Sequence, residues 1–316
     1  MMQMSDAPLQ PPVALSRLRM RQWRLLAQLG ADGHLGRAAA ALAMTQPAAS
    51  KLLQQAEEVV GQPLFHRHPR GMAPTGLGDV LVRHARLMVN GLAHVQDEVR
   101  ALTAGLSGTL RVGCAPGAVP ELLAPALVAF KAAHPGVSVS VLVETSDVML
   151  AQLRRGEADL VLGRLTEGHH DDEFESQPLL TEPQVVVVRQ GHPLAAGQPV
   201  CLQDLAAWPW VLQPPGSPQR ARFEAMIREA GIHTRLDITE TSSTIATTAL
   251  LEASDMAAVM PDSLARHYGR LGILQVVVLE LPLRVPPIQR ITLRRHNPSP
   301  AARAFCATLT GSPGTD

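Results

Sequence analysis

The chain has 316 residues, 46% of them hydrophobic but only 3% aromatic, so Leu, Val and Ala must fill the cores of two or three domains. Cys114, Cys201 and Cys306 follow no CxxC or metal-ligand spacing, and no run approaches the ~18 apolar residues of a membrane span. A disulfide scaffold, a zinc site and a bilayer-spanning chain are thereby excluded, and a cytoplasmic protein with reduced thiols is expected.

Formal charge cancels at 28 basic against 28 acidic residues, yet residues 1–86 carry ten basic and five acidic side chains. The excess of cations at one end predicts a polyanionic partner there. Residues 1–16 contain Pro and Met but no apolar core of a signal peptide, and read as a flexible tail. Residues 18–30 place Leu18, Leu25, Leu26 and Leu29 on one helical face. The Ala-rich segment 34–43 does the same with Leu35, Ala38, Ala39 and Leu42.

A one-to-two-residue turn then leads to "MTQPAASKLLQQAEEVVG", with Thr45 as N-cap and Pro47 in the first turn. Spacings of three and four predict a buried stripe of Ala48, Leu52, Ala56 and Val59, leaving Gln46, Ala49, Ser50 and Lys51 outside. Two helices joined so tightly, the second opening on exposed polar residues, form a helix-turn-helix. The Pro- and Gly-rich "PLFHRHPRGMAPTGLG" that follows predicts a basic hairpin or wing. From Leu77 a helix runs to about residue 104, with Leu81, Ala85, Met88, Leu92, Val95, Val99 and Leu102 in a heptad seam. Such a seam pairs with a second copy or packs on its own amino-terminal domain.

After "GLSG" the pattern changes to βαβαβ: "TLRVGCA", "VPELLAPALVAFKAAHP", "VSVSVLVE", "SDVMLAQLRRGE" and "ADLVLGRL". A second α/β set follows, and "ILQVVVLEL", "IQRITLRR" and a last helix close the chain. The order predicts two lobes joined by two crossing strands, with a small-molecule cleft at the strands' carboxyl ends.

The motifs "AAAALAMTQPAASKLLQQAEEVVGQPLFHRHPRGMAPTGLG", "LRVGCAPGAVPELLAPALVAFKAAHPGVSV" and "LRRGEADLVLGRL" resemble LysR-type transcriptional regulators over residues 17–310. The wording "LRMRQWRLL" and "PRGMAPT" is most similar to the galactose-binding-protein-regulator and protocatechuate-regulator branch. The resemblance implies an α/β fold with an all-α start. A flexible tail (1–16), a winged helix-turn-helix domain (17–76) and a dimerisation helix (77–105) would precede a periplasmic-binding-protein-like effector domain (106–310). Lobe 1 would comprise 106–164 and 269–310, and lobe 2 165–268.

By the same resemblance the helix from Thr45 is the recognition helix, with Thr45, Gln46, Pro47, Ala48, Ser50 and Lys51 at the motif positions. The chemistry agrees. Gln46 suits an adenine edge, and Ala48 or Ala49 a thymine methyl. Ser50, Lys51, Arg67 and Arg70 suit phosphates. The effector positions carried over are the turn holding Ala115, Gly117 and Ala118, the turn of Thr145 and Ser146, and the "PPGS" and "ETSS" turns with Ser217, Thr241 and Ser243. Members of the family commonly offer a Ser or Thr in the first turn, and "CAPGA" offers none. The implied partners are operator DNA, a sugar or carboxylate effector, further copies in a homodimer or homotetramer, and RNA polymerase. No cofactor and no membrane is implied.

The remaining chemistry is weak. "HHDDE" at 169–173 is contiguous and reads as a solvated loop, without a metal. Cys114, near the expected cleft mouth, lacks a resolving partner and reads as a small apolar filler. GxSxG, GxGxxG and P-loop motifs are absent, which disfavours an α/β enzyme. The basic start and missing signal peptide disfavour a solute-binding protein.

Overall fold

The computed structural model describes residues 15–69, 71–104, 106–165, 173–195, 199–233, 235–279, 285–294 and 298–309. Its contacts separate two units, Met1–Gln96 and Asp97–Asp316.

The first unit contains α1 (Met20–Asp32), α2 (Leu35–Ala41), α3 (Gln46–Val60), the strands β1 (Phe65–His68) and β2 (Gly71–Pro74), and the start of α4 (Gly76–Ala104). Helix α1 starts where the Arg19 N–H donates to Gln22 Oε1 at 2.7 Å. It stops at Gly33, whose φ of 61° is left-handed and suits a residue without Cβ. The core gathers Leu25, Leu26 and Leu29 of α1, Ala38 and Ala39 of α2, and Ala49 and Leu53 of α3. Four residues, not one or two, separate α2 from α3, and Ala43 takes a left-handed φ of 52° to make the corner.

The buried stripe of α3 is Ala49, Leu53, Ala56 and Val60: Ala56 is as expected, and the other three lie one residue along from the expected Ala48, Leu52 and Val59. Ala48 is exposed, and Leu52 and Val59 lie at the rim of the core. The sequence fits both settings because apolar residues occur in the pairs Ala48–Ala49, Leu52–Leu53 and Val59–Val60. The orientation of α3 against α1 and α2 selects the second member of each.

Strands β1 and β2 pair antiparallel from Phe65↔Pro74 to His68↔Gly71, which makes the expected hairpin. The start of α4 joins this core through Leu81, Val82 and Ala85. A Cβ on Gly30 would collide with Val82, so the glycine lets the two helices approach.

The second unit holds two five-stranded sheets. The first has the order β4–β3–β5–β12–β6, built from β3 (Gly108–Cys114), β4 (Val137–Val143), β5 (Leu160–Gly163), β6 (Phe174–Leu180) and β12 (Ile288–Leu293). Only β3, β4 and β5 are parallel, as expected of βαβαβ, while β12 runs antiparallel to both neighbours. The second has the order β11–β7–β10–β8–β9, from β7 (Gln184–Arg189), β8 (Trp210–Leu212), β9 (Ile238–Glu240), β10 (Ala257–Pro261) and β11 (Leu274–Val277).

Two strands depart from the expected lobe bounds. β6, inside 165–268, pairs with β12 of the first sheet, and β11, inside 269–310, pairs with β7 of the second. Both crossing segments therefore come later than the sequence suggests, at Thr181–Pro183 and between Val278 and Pro287. β6 ("FESQPLL") lacks alternation and carries Pro178, which an edge strand tolerates.

Candidate functional sites

The polar face of α3 is outside. Thr45 Oγ1 accepts the Ala48 N–H at 3.4 Å, capping the helix as expected. Gln46, Pro47, Ala48 and Lys51 are exposed, and Ser50 is half-buried. Ala49 is fully buried, so of the two alanines only Ala48 is available to a thymine methyl. Arg67 is exposed on β1, while Arg70 lies outside the described residues. The turn end of the hairpin is tied to the end of α1 by the Met72 N–H donating to Gly33 O at 2.7 Å. A Cβ on Gly71 would collide with that same carbonyl.

In the second unit a crevice lies between the two sheets. Ala115, Gly117, Thr145, Ser146 and Arg164 line it from the first sheet, and Gln184, Gln213, Gln219 and Pro261 from the second. A neighbouring recess shares Gln213 and Gln219 and adds Thr241, Ser242, Thr244 and Thr247. The first space is about 20 Å³, room for a single water rather than a metabolite. The lobes are closed upon each other. Ser242 Oγ donates to Glu144 Oε1 across the gap at 3.3 Å.

The structure thus brings together Ala115, Gly117, Thr145, Ser146 and Thr241. Ala118 packs into the core of the first lobe. Ser217 and Ser243 line neither space. Ser217 Oγ accepts the Arg220 N–H at 3.1 Å to cap α8 (Pro218–Glu229), and Ser243 Oγ accepts the Ala246 N–H at 3.2 Å to cap α9 (Thr244–Glu252). Ser146, the first residue of α6 (Ser146–Arg154), is buried and its Oγ accepts the Arg164 N–H at 3.0 Å.

Sequence reasoning missed Glu144, Gln184, Gln213 and Gln219, and also Arg164. Each lies at or just past the end of an apolar strand or at the opening of an element. That placement was a usable signal: β5 ends in "VLGR" and β7 opens with Gln184. Arg164 forms a buried node at the crossing strands. Its guanidinium meets Glu182 at 3.0 Å and its Nε donates to Pro286 O at 2.7 Å, while Ser263 Oγ donates to Glu182 Oε1 at 3.0 Å. Burial pushes the Glu182 carboxyl above the usual carboxylate range, and the guanidinium and hydroxyl beside it pull it back. Burial likewise lowers the Arg164 guanidinium. A Cβ on Gly117 would collide with the Glu182 carboxylate, which explains a glycine in this turn.

Cys114 is fully buried at the end of β3, directly before the crevice residue Ala115, and desolvation drives its thiol far above the ordinary range. Of "HHDDE", residues 169–172 lie outside the described residues, and Glu173 pairs with Arg154 at 2.7 Å. No described helix is long and apolar enough to cross a membrane.

The family model for the bacterial regulatory helix-turn-helix protein of the lysR family matches residues 20–79, and that for the LysR substrate binding domain matches residues 103–312. The HTH-type transcriptional regulator GbpR of Azospirillum brasilense is 35% identical over 301 residues, covering 95% of this chain and 88% of that one. Full-length CbnR complexed with its target DNA superposes with a TM-score of 0.64 at 23% identity, over 92% of this chain and 98% of that one. The effector binding domain of QuiR in complex with shikimate gives a TM-score of 0.54 at 22% identity, over 64% of this chain and 95% of that one.

Proposed function

The chain belongs to the LysR family of transcriptional regulators, with a DNA-binding helix-turn-helix and an effector-binding domain, and from that premise we infer which of its residues do the work. The family is one of regulators rather than enzymes. Residues 17–76 act as the DNA-binding domain, 77–105 as the dimerisation helix, and 106–310 as the effector domain. The observation that carries the DNA reading is the two-faced α3: Ala49, Leu53, Ala56 and Val60 inside, Gln46, Ala48 and Lys51 outside.

In this reading Gln46 and Ala48 read base edges in the major groove, while Ser50, Lys51, Arg67 and Arg70 hold phosphates. Thr45 and Pro47 set the start of the helix. The effector enters the crevice lined by Ala115, Gly117, Thr145, Ser146 and Thr241, and the lobes open to admit it. The protein acts in the cytoplasm as a homodimer or homotetramer, and RNA polymerase is the further partner of the assembled complex.

A gel shift with DNA from upstream of the protein's own gene, against random DNA of equal length, tests the assignment. Gln46→Ala should lose ~1–3 kcal/mol on the operator and relax preference at one base pair per half-site. Arg67→Ala should weaken both DNAs alike and flatten the dependence of affinity on salt. Equal loss on both DNAs from Gln46→Ala removes that residue from base readout.

A further inference from the structure

We propose that Gly36 sets the Gln46 amide so that its nitrogen, not its oxygen, meets the DNA, and that Gln46 therefore selects guanine rather than adenine. The proposal rests on Gln46 reading a base, and it adds which base and which residue decides it.

Gly36 is the second residue of α2, and its backbone is ordinary helix, outside the left-handed region. Glycine weakens a helix relative to alanine, so its presence here needs another reason. The atoms nearest to a Cβ added at Gly36 belong to side chains: Gln46 Oε1 at 3.3 Å, and Cε1 and Nδ1 of His34 at 3.5 Å. The contact with Gln46 is the tight one, and that with His34 is ordinary packing. The missing Cβ thus leaves the room in which the end of the Gln46 side chain lies. The corner before α3 brings the two residues together. There the Met44 N–H donates to Ala39 O at 2.9 Å, and Gln46 opens α3 two residues later.

The chemistry of the first turn of α2 sets the direction of the amide. The opening N–H groups of a helix have no partner within it, and here His34 Nδ1 accepts that of Gly36 at 3.2 Å. An amide oxygen beside this turn faces donors, whereas an amide nitrogen would set donor against donor. Gln46 Oε1 lies on that side, which leaves the two Nε2 donors for a partner outside. The Gln46 side chain is exposed and makes no hydrogen bond among the described residues. In the major groove guanine offers two acceptors, N7 and O6, to such a pair of donors. Adenine sets its N6 donor beside N7, and its full contact needs the amide oxygen that is turned away here. Thymine offers one acceptor, and cytosine a donor.

Selection of operator half-sites from random DNA by the full chain, followed by gel shifts on single-base variants, tests the assignment. At the base pair whose preference Gln46→Ala loses, the parent protein should favour guanine over adenine by about tenfold. Placing 7-deazaguanine there, which lacks the N7 acceptor, should weaken binding. Gln46→Glu, whose carboxylate only accepts, should turn the preference to cytosine. Gly36→Ala should crowd the oxygen from its place and free the amide to turn, so that the preference for guanine over adenine largely disappears. Its unfolding midpoint should hold or rise, as alanine favours helix; a merely structural role for Gly36 would lower the midpoint and leave the base preference in place. A parent protein that prefers adenine overturns the proposal, as does a Gly36→Ala protein that keeps the parent's preference; in either case base reading by Gln46 stands. Equal weakening of all DNAs by Gln46→Ala overturns both.

Discussion

Ala48 and Ala49 are adjacent, equal in size and opposite in consequence. Ala49 has no exposed surface and lies among Leu53, Ala56 and the leucines of α1, whereas Ala48 faces outward beside Gln46. Periodicity could not separate them, because both follow Thr45 within one turn and both fit a 3.6-residue stripe. Substitution separates them. Ala49→Leu overfills the core and should lower stability by ~1–3 kcal/mol in urea. Ala48→Leu should stay within about 0.5 kcal/mol of the parent yet lose operator affinity by gel shift if, as proposed, the exposed face that takes the added bulk is the one that reads bases. If Ala48→Leu destabilised the fold and Ala49→Leu did not, the helix would be turned the other way. The effector side shows the same lesson. Ser217 and Ser243 were read from the sequence as ligand hydroxyls, but each is spent on a helix cap, a role that Ser takes at any helix start.

At the scale of elements, α4 joins two roles in one heptad pattern. Its first seam residues, Leu81 and Ala85, belong to the core of the amino-terminal unit. Met88, Leu92 and Val95 are then 43%, 42% and 54% exposed, a run of apolar side chains that a second copy would cover. The packing reading holds for Leu81 and Ala85, and pairing of the outer seam with a second copy is what the following substitutions test. Leu92→Asp with Val95→Asp should leave the secondary structure intact while shifting sedimentation toward the monomer. Operator affinity should drop by the same dilution, since a single recognition helix reads too few base pairs. Unchanged sedimentation would show that the outer seam carries no association.

Elements with strong periodicity, such as α1, α3 and the run of β3 to β5, were legible in the sequence. β6 and the short helix α10 (Asp262–Arg270) were not. β6 has a solvated edge and a proline, and α10 has only nine residues directly after β10. Missing β6 and assigning β11 to the wrong lobe moved both crossing strands, and with them the position of the hinge.

The two units have separate cores. One is built from α1 to α3, the hairpin and the start of α4, and the others from the two sheets. They should therefore unfold as separate cooperative steps, each answering to its own mutations. Arg164 is the residue that makes this testable. It is the cation that links the first lobe to both crossing strands, through Glu182 on one and Pro286 on the other, with side-chain exposures of 9% for Arg164 and 3% for Glu182. Removing the carboxylate strands a buried guanidinium, and Glu182→Ala should cost ~3–5 kcal/mol. Glu182→Gln keeps an acceptor for Arg164 and should cost less. In scanning calorimetry the loss should fall on the transition of the effector unit alone, leaving that of the DNA-binding unit at its parent temperature. The expectation follows from position: Glu182 touches Arg164, Ser263 and Gly117, all of them in the second unit. A single transition shifted as a whole would show instead that the two units melt as one body, and that a change at the crossing strands is felt directly by the helix-turn-helix.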